Sequence, residues 1–405
     1  MSDGKGKWIE EIKEKAKRAI DKPPALGLDL DTSKFKFTSK SSESISRDLE
    51  EKASEVGVDL SGRGRAGSYL QVDSSILMGS SLYEGVEVLP ISKALEFYDW
   101  IADYYWRALD VDMDKFTALS ELKCSGGVFI RVKSGVKVEL PVQTCFYLKS
   151  SGLSQNVHNI IIVEEGAELN VLTGCASPRI SEALHIGVSE FYVKRGGKLT
   201  YTMIHSWSEG VDVRPRTGVL LEDDASFTSV YVNVNPARTI QMMPIVHLNG
   251  ENSRSSLVSI IVASDSSVID VGGEAHLNGS GSKAEIISKV IAKDDANVVS
   301  RGVIVGEGYN CRGHLECRGM LLSSKAVIRA IPQLDARNAS ATLSHEAAIG
   351  RFSEDEVYYL MSRGFSEEEA VSIIVRGFMD IGPVDLPPLL SKYVKWVLDN
   401  VSRKL

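Results

Sequence analysis

The segment from residue 161 to 230 decides the fold, because IIVEEGAELNV (161–171), YVKRGGKLTYT (192–202) and LLEDDASFTSV (220–230) repeat one pattern. In each copy an apolar run ends in polar residues and a turn residue, and a second run of alternating apolar and polar residues follows. Alternation of this kind predicts β-strands, and the glycines and aspartates predict turns between them. The copies recur at a nearly constant interval of about 30 residues, which indicates a repeat architecture.

The same punctuation extends over most of the chain between residues 127 and 345. It occurs at 133–136 and returns near 251, 281, 294, 323 and 337. Each repeat contains strands but no helix, which excludes helical repeats, and a propeller blade would need about 40 residues and four strands. A strand-only coil of about 30 residues fits a parallel β-helix, whose stacked coils pair every backbone group except at the two ends. The sequence therefore predicts an all-β core formed by a parallel β-helix.

Helical patterns on both sides of the repeat predict caps for its open ends. Residues 1–20, 44–56 and 92–109 carry apolar residues at steps of three and four, whereas the Gly- and Ser-rich residues 61–91 predict an irregular segment. Capping boxes at Ser353 and Ser366 predict two more helices, and a last helix covers about 389–402, beyond Pro383, Pro387 and Pro388. We expect an N-terminal mostly helical region (1–115), a β-helix core (116–350) and a C-terminal helical domain (351–405).

Composition and charge exclude several classes of protein. The net charge is −8, and the sequence lacks the clustered basic face that nucleic-acid binding requires. No apolar run approaches the length that a membrane-spanning helix needs, and the charged stretch Met1–Ile20 contains no apolar signal region. The sequence predicts a cytoplasmic protein that binds neither nucleic acid nor membrane.

The cysteines are odd in number and widely spaced, which disfavours a disulfide framework. No CxxC pair occurs, so a structural zinc site is also disfavoured. The sequence predicts free and mostly buried thiols at all five positions, which are Cys124, Cys145, Cys175, Cys311 and Cys317.

Several long motifs resemble the SufB/SufD family of iron–sulfur cluster assembly scaffolds. They are ECRGML (316–321), LSHEAAIGRFSED (343–355) and YLMSRGFSEEEA (359–370), and segments at 115–136 and 164–178 agree with them. The resemblance covers about residues 68–380. It implies a right-handed β-helix between helical domains, and a scaffold that builds a transient iron–sulfur cluster rather than an enzyme. The chain has no GxxxxGK[ST] loop, so ATP hydrolysis is expected in a SufC-type ATPase partner.

Within that family, SufB-like members carry a Cys before a Met-Leu pair and a later His-Glu pair, as this chain does at Cys317, His345 and Glu346. The resemblance implies that these three residues bind the metal and the cluster. Cys supplies a soft ligand, His a borderline one and Glu a hard one. A mixed and incomplete ligand set holds a cluster weakly, which suits a cluster that is handed on. His345 and Glu346 are adjacent, so they would face opposite sides of one strand unless the strand ends or bends there.

The resemblance also implies a sulfur route through the barrel, which begins at Cys175 and passes His205 and Trp207 on the next coil. His205 stands where the family has Gln. The Lys expected on a later strand is absent, because Gly218–Leu221 stands there instead. Plain structural roles compete with each assignment: a buried thiol for Cys317, a core or interface histidine for His345, an exposed charge for Glu346 and packing for Trp207.

The implied partners are the SufC-type ATPase, a cysteine desulfurase or other sulfur donor, and either a second copy of this chain or a SufD-like subunit. Three alternatives stay open from the sequence: a SufD-like subunit that does not nucleate the cluster, a β-helix carbohydrate-active enzyme and an inert structural solenoid. The enzyme would need carboxylates clustered on one exposed face, and no such cluster recurs across the coils.

Overall fold

A parallel β-solenoid of about 8 turns forms the centre of the computed structural model, which describes residues 3–39, 44–61, 63–235, 237–382 and 386–403. Each turn contributes a strand or a broken strand to each of two sheets, and the two sheets enclose the main apolar core between them. The parallel β-helix predicted from the repeat is confirmed.

Sheet 1 contains the strands that carry the residues of interest. Its strands are β1 (Gly67–Val72), β2 (Ser75–Ser81), β5 (Val142–Tyr147), β7 (Glu168–Ala176), β9 (Lys198–Ser206), β12 (Ser226–Asn235), β15 (Arg254–Ala263), β17 (Lys283–Ala292), β19 (Arg312–Leu321) and β21 (Thr342–Arg351). Sheet 2 lies opposite. Its strands are β3 (Val86–Pro90), β4 (Val128–Val132), β6 (Ser154–Val163), β8 (Ala183–Val193), β10 (Val211–Val213), β11 (Arg216–Leu221), β13 (Thr239–Met242), β14 (Ile245–Leu248), β16 (Val268–Leu277), β18 (Asn297–Gly306) and β20 (Val327–Ala336).

Turns of the same conformation recur at the same place in each coil, which keeps the number of residues per coil nearly constant. In sheet 1 the first residues of successive strands pair with one another, in the order Ser226, Arg254, Lys283, Arg312 and Thr342. The punctuation residues adopt positive φ, the left-handed conformation that Gly, Asn and Asp tolerate best. They include Gly135, Gly166, Gly196, Asp224, Asn252, Gly281 and Asp294.

Helices cover the outer faces of both sheets. They are α1 (Asp3–Ala19), α2 (Arg47–Glu55), α3 (Ile91–Phe97), α4 (Lys115–Leu122), α5 (Glu354–Ser362), α6 (Glu367–Phe378) and α7 (Pro388–Ser402). Apolar residues of α1 and α4 pack on sheet 2, and those of α2, α6 and α7 pack on sheet 1. None of the helices in the described residues is long and apolar enough to span a membrane.

Two predictions for the N-terminal region were wrong. Residues 61–91 contain β1, β2 and β3 rather than an irregular segment, because β1 pairs with β5 and is buried along its whole length. Residues 92–109 do not form one helix: α3 ends at Phe97, and a 3₁₀ helix covers Asp99–Asp103. The buried carboxylate of Glu190 accepts the backbone N–H groups of residues 106, 107 and 108, which holds this segment out of a helix.

At the C-terminal end, one capping box is confirmed and the other was wrong. The Ser366 hydroxyl accepts the backbone N–H of Glu369, whose carboxylate accepts the N–H of Ser366. Ser353 precedes α5, but its side chain makes no capping hydrogen bond. Pro383 lies outside the described residues. The division of the chain at residues 115/116 and 350/351 stays a prediction; α4 begins at Lys115 and β21 ends at Arg351.

Candidate functional site

Cys317 lies in the middle of β19 and points into the solenoid. It alternates with the outward-facing Glu316 and Arg318, and it belongs to the buried core between the sheets. Its neighbours in register on sheet 1 are Ser288 on β17 and Ala347 on β21. Burial raises the pKa of the Cys317 thiol, a hydrogen bond from Ser300 on the opposite sheet opposes that shift, and the Glu316 carboxylate adds to it. The resting side chain is therefore a neutral thiol, and a bound metal ion would be needed to stabilise the thiolate.

His345 lies on the same inner face, one strand further along and two positions before the neighbour of Cys317. The register pairs Leu315 with His345 and Cys317 with Ala347, so the two side chains are diagonal neighbours on β19 and β21. Within the described residues, Nε2 of His345 is buried and has no hydrogen-bond partner. A buried nitrogen without a partner is costly unless something else binds it, and an imidazole nitrogen is a common metal ligand.

Glu346 faces the other way. The pairing of β19 with β21 runs from Arg312 to Leu321 without a bulge, so neither a strand end nor a bend brings Glu346 round to the inner face. Its neighbour in register is Glu316, and both are on the outer face of sheet 1. The structure therefore brings Cys317 and His345 together and does not bring Glu346 to them. No group of three or more His, Cys, Asp or Glu residues in the described chain is arranged to hold a metal ion.

The second predicted group, Cys175, His205 and Trp207, is brought together inside the solenoid. Cys175 on β7 is the register neighbour of His205 on β9, and both are buried. The His205 ring lies 5.6 Å from the Trp207 ring, measured between centroids. Burial raises the pKa of Cys175 well above its usual value and lowers the pKa of His205 well below its usual value, so both groups are neutral at rest.

Two further residues complete this group, and the sequence reasoning missed them. The Tyr231 hydroxyl lies 3.0 Å from Nδ1 of His205, and the His185 ring lies 4.9 Å from that of Trp207. Nδ1 of His185 is in turn 2.9 Å from Oε1 of Gln155, and burial lowers the pKa of His185 to about 3. The available signal was a polar residue at an inward position of an otherwise apolar strand, such as His185 in ALHIGV (183–188).

An inward-facing row of polar side chains links the two groups. Tyr231, Ser259, Ser288 and Cys317 occupy the same register position on four neighbouring strands, β12, β15, β17 and β19. From β7 to β19 there are five strand spacings of about 4.8 Å, which separates Cys175 from Cys317 by roughly 24 Å. A narrow cavity of about 30 Å³ lies along this row, and Tyr231, Ser259 and Ser288 contribute to its lining.

The strand on which a lysine was expected is β11, and it carries Gly218 and apolar residues there instead. Val219 and Leu221 on β11 point into the core. Gly218 faces outward, where an added Cβ would lie 2.2 Å from the carbonyl oxygen of Ala108. This contact excludes a long basic side chain at Gly218. The row from Tyr231 to Cys317 has no charged member.

The last turn of the solenoid is open. β20 and β21 are the final strands of the two sheets, and no strand among the described residues pairs with the outer edge of either. Four large apolar side chains on them are exposed: Val327, Ile331, Leu334 and Ile349. Long apolar edges of this kind are sites where another chain pairs.

The C-terminal helices pack against sheet 1 but leave part of their surface apolar. Ile374 and Phe378 pack on the cluster between the helices and sheet 1, whereas Phe365 stays exposed. Other exposed large side chains on these helices are Tyr358, Tyr359, Met361, Ile373 and Trp396.

Comparison with known proteins finds one family, both from the matching family description and from the relatives. Residues 144–378 match the family described as "SUF system FeS cluster assembly, SufBD core domain". An "Iron-sulfur cluster assembly SufBD family protein" from Methanothermobacter thermautotrophicus is 41% identical over 96% of this chain and 98% of the relative. One of the same description from Archaeoglobus fulgidus is 45% identical over 88% and 96%. The "Iron-sulfur cluster assembly protein SufB" of Bacillus subtilis is 30% identical over 75% of this chain and 66% of the relative.

Proposed function

The chain belongs to the SufBD family of iron–sulfur cluster assembly proteins, and from that premise we propose that it is the scaffold subunit, which accepts sulfur and iron and builds a cluster for transfer. The observation that carries the proposal is the inward-facing row that leads from His205 and Tyr231 to Cys317. It supports a function in which sulfur enters at Cys175 and is used about five strands away, where Cys317 and His345 lie beside the open end.

The interior constrains the form in which sulfur moves. Cys175, His205 and His185 are neutral at rest, and the serines of the row carry no charge. Arg301 also borders the cavity, but it is paired with Asp270, and the row itself has no charged member. A low-dielectric row of this kind disfavours an anion, so sulfur would pass in an uncharged form. The two pKa shifts oppose proton transfer from Cys175 to His205. His205, held by the Tyr231 hydroxyl and next to Cys175 in register, would instead orient the sulfur as a neutral hydrogen-bonding group.

Cys317 and His345 would be the first ligands that the cluster, the cargo of this scaffold, meets. A thiolate and an imidazole are too few to complete an iron–sulfur cluster, so further ligands must come from outside the inner face of one chain. The open last turn supports a second subunit as their source, because β20 and β21 present unpaired edges next to these residues. That subunit is a second copy of this chain or a SufD-like chain. Glu346, on the outer face, stays a predicted ligand that would have to act from there.

The energy source is proposed to be a SufC-type ATPase that docks on the C-terminal helices. The exposed aromatic and apolar side chains of α5 and α6 and of the turn between them, among them Tyr358, Phe365 and Ile373, supply an uncovered surface there. Closure of two ATPase subunits would then move two paired scaffolds as rigid bodies and open the last turn.

Anaerobic reconstitution with iron and sulfide tests the proposal. The wild-type protein should develop the visible absorption of an iron–sulfur cluster, and Cys317→Ala should lose it. Cys311→Ala is the matched control, because Cys311 is a buried thiol of the same core shortly before Cys317 in the chain. Equal cluster formation by Cys317→Ala and wild type would refute the scaffold assignment. Failure of wild type to bind iron except with a second, SufB-like chain would assign the SufD-like role instead.

A further inference from the structure

A cleft of about 400 Å³ lies on the outer face of sheet 2, away from the row of cysteine-bearing strands in sheet 1. Residues 27–34, here called the strap, form one wall, and strands β10, β13, β16, β18 and β20 form the floor. Two contacts fix the strap: Nε2 of Gln241 donates to the carbonyl of Leu28 at 2.5 Å, and Nζ of Lys115 contacts Asp29 Oδ1 at 2.8 Å.

Arg214 lines this cleft and is almost completely buried. Its Nη1 donates to the backbone carbonyl of Val213 at 3.0 Å, and its guanidinium lies 5.4 Å from the centre of the Phe116 ring. Among the residues that the structure describes, its Nε has no hydrogen-bond partner and the side chain forms no salt bridge. Burial is the main reason that the pKa of Arg214 is lowered to about 10. Asp212 and Asp114 attract this charge, but each forms its salt bridge with another arginine, so Arg214 has no carboxylate of its own. A buried charge without such a partner is unfavourable.

The arginines next to Arg214 form salt bridges with carboxylates, whereas Arg214 forms none in the described part of the chain. Arg216 contacts Asp114 at 2.7 Å, and Arg238 pairs with Asp212. Arg238 also lies 3.6 Å from Glu182, a carboxylate that it shares with Lys34. The other acids that line the cleft are also engaged, Asp29 by Lys115 and Asp270 by Arg301.

A second buried group without a partner lies in the same cleft as Arg214. Oε1 of Gln241 is buried and, within the described residues, accepts no hydrogen bond. The amide cannot simply be turned over, because its nitrogen is needed to donate to the Leu28 carbonyl. The cleft therefore offers an unused cationic donor and an unused neutral acceptor. Arg214 and Gln241 lie side by side, because each follows one member of the Val213–Ile240 pair on neighbouring strands.

We propose that this cleft binds a small oxyanion that also carries a hydroxyl donor, with the anionic oxygen on Arg214 and the hydroxyl on Oε1 of Gln241. Inorganic phosphate and a hydroxycarboxylate such as citrate share this chemistry. Sulfate does not, because at neutral pH it carries no proton to donate. The site is independent of Cys317 and of cluster assembly.

Titration calorimetry and thermal unfolding of the full chain, at constant ionic strength, test the proposal with phosphate, citrate and sulfate as separate probes. Wild type should bind phosphate or citrate more tightly than sulfate, and the better of the two identifies the source of the anion. Arg214→Gln should weaken that binding by about tenfold or more, the loss expected for a charge-assisted hydrogen bond. Arg214→Lys should retain part of it. Arg254→Gln, which removes an exposed charge from the outer face of sheet 1, should leave it unchanged.

Arg214→Met provides a second test if Arg214→Gln does not fold. It removes the charge and keeps an unbranched side chain near the Phe116 ring, so the protein should no longer bind the anion. The proposal is overturned if wild type binds none of the three anions, if sulfate binds as tightly as the best hydroxylated anion, or if the folded variant, Arg214→Gln or Arg214→Met, binds phosphate and citrate as wild type does.

Discussion

Tyr231→Phe removes one hydroxyl from the interior and leaves the ring in place. That hydroxyl is 3.0 Å from Nδ1 of His205, and both groups are buried. The change leaves a buried ring nitrogen without its partner, which should lower the free energy of unfolding by about 1–3 kcal/mol. Because His205 is the register neighbour of Cys175, loss of its orientation should also slow sulfur transfer from Cys175 by about tenfold, which corresponds to ~1.4 kcal/mol in the barrier.

Two assays separate these effects. Chemical denaturation measures the stability loss. Transfer is followed as the movement of labelled sulfur from Cys175 into cluster on Cys317, with a cysteine desulfurase as donor, and cluster formation from free sulfide should be unaffected. Tyr201→Phe is the matched control, since the Tyr201 hydroxyl borders the same cavity but contacts Sδ of Met203 and the Thr173 side chain rather than His205. The reasoning is refuted if the two variants slow transfer equally, or if Tyr231→Phe impairs assembly from free sulfide just as strongly.

Two further predictions concern the buried His185 and the exposed apolar surfaces of β20 and α6. The folded-state pKa of His185, about 3, lies below its ordinary value of 6.5, so the unfolded chain binds the proton first and stability falls as the pH drops below about 6.5. Between about pH 7 and about pH 5 this should cost about 2 kcal/mol of unfolding free energy, and a denaturation series that is flat over this range would contradict it. Ile331→Asp on β20 should abolish self-association in sedimentation but not capture of the ATPase, whereas Ile373→Asp on α6 should do the reverse. Loss of both properties in either variant would show that the two surfaces are not separate.

The sequence by itself determined the architecture, because the relevant signals are local. Gly166, Asp224 and Asn252 mark turns that need a left-handed residue, and the alternation between them marks strands. Turns at a constant spacing, with only strands between them, indicate a solenoid of stacked coils. Ser366 likewise predicted its helix, since a capping box is contained within a single turn of chain.

The tertiary structure alone decided which side chains meet, because those contacts depend on the register between strands that lie a whole coil apart in the chain, and a shift of one residue turns every side chain to the other face. It placed His345 on the face of Cys317 and Glu346 on the opposite one. It brought Tyr231 to His205, and it buried Arg214 beneath a strap from the N-terminal part of the chain. No local pattern encodes these contacts, since each joins segments whose distance is set by the stacking of whole coils.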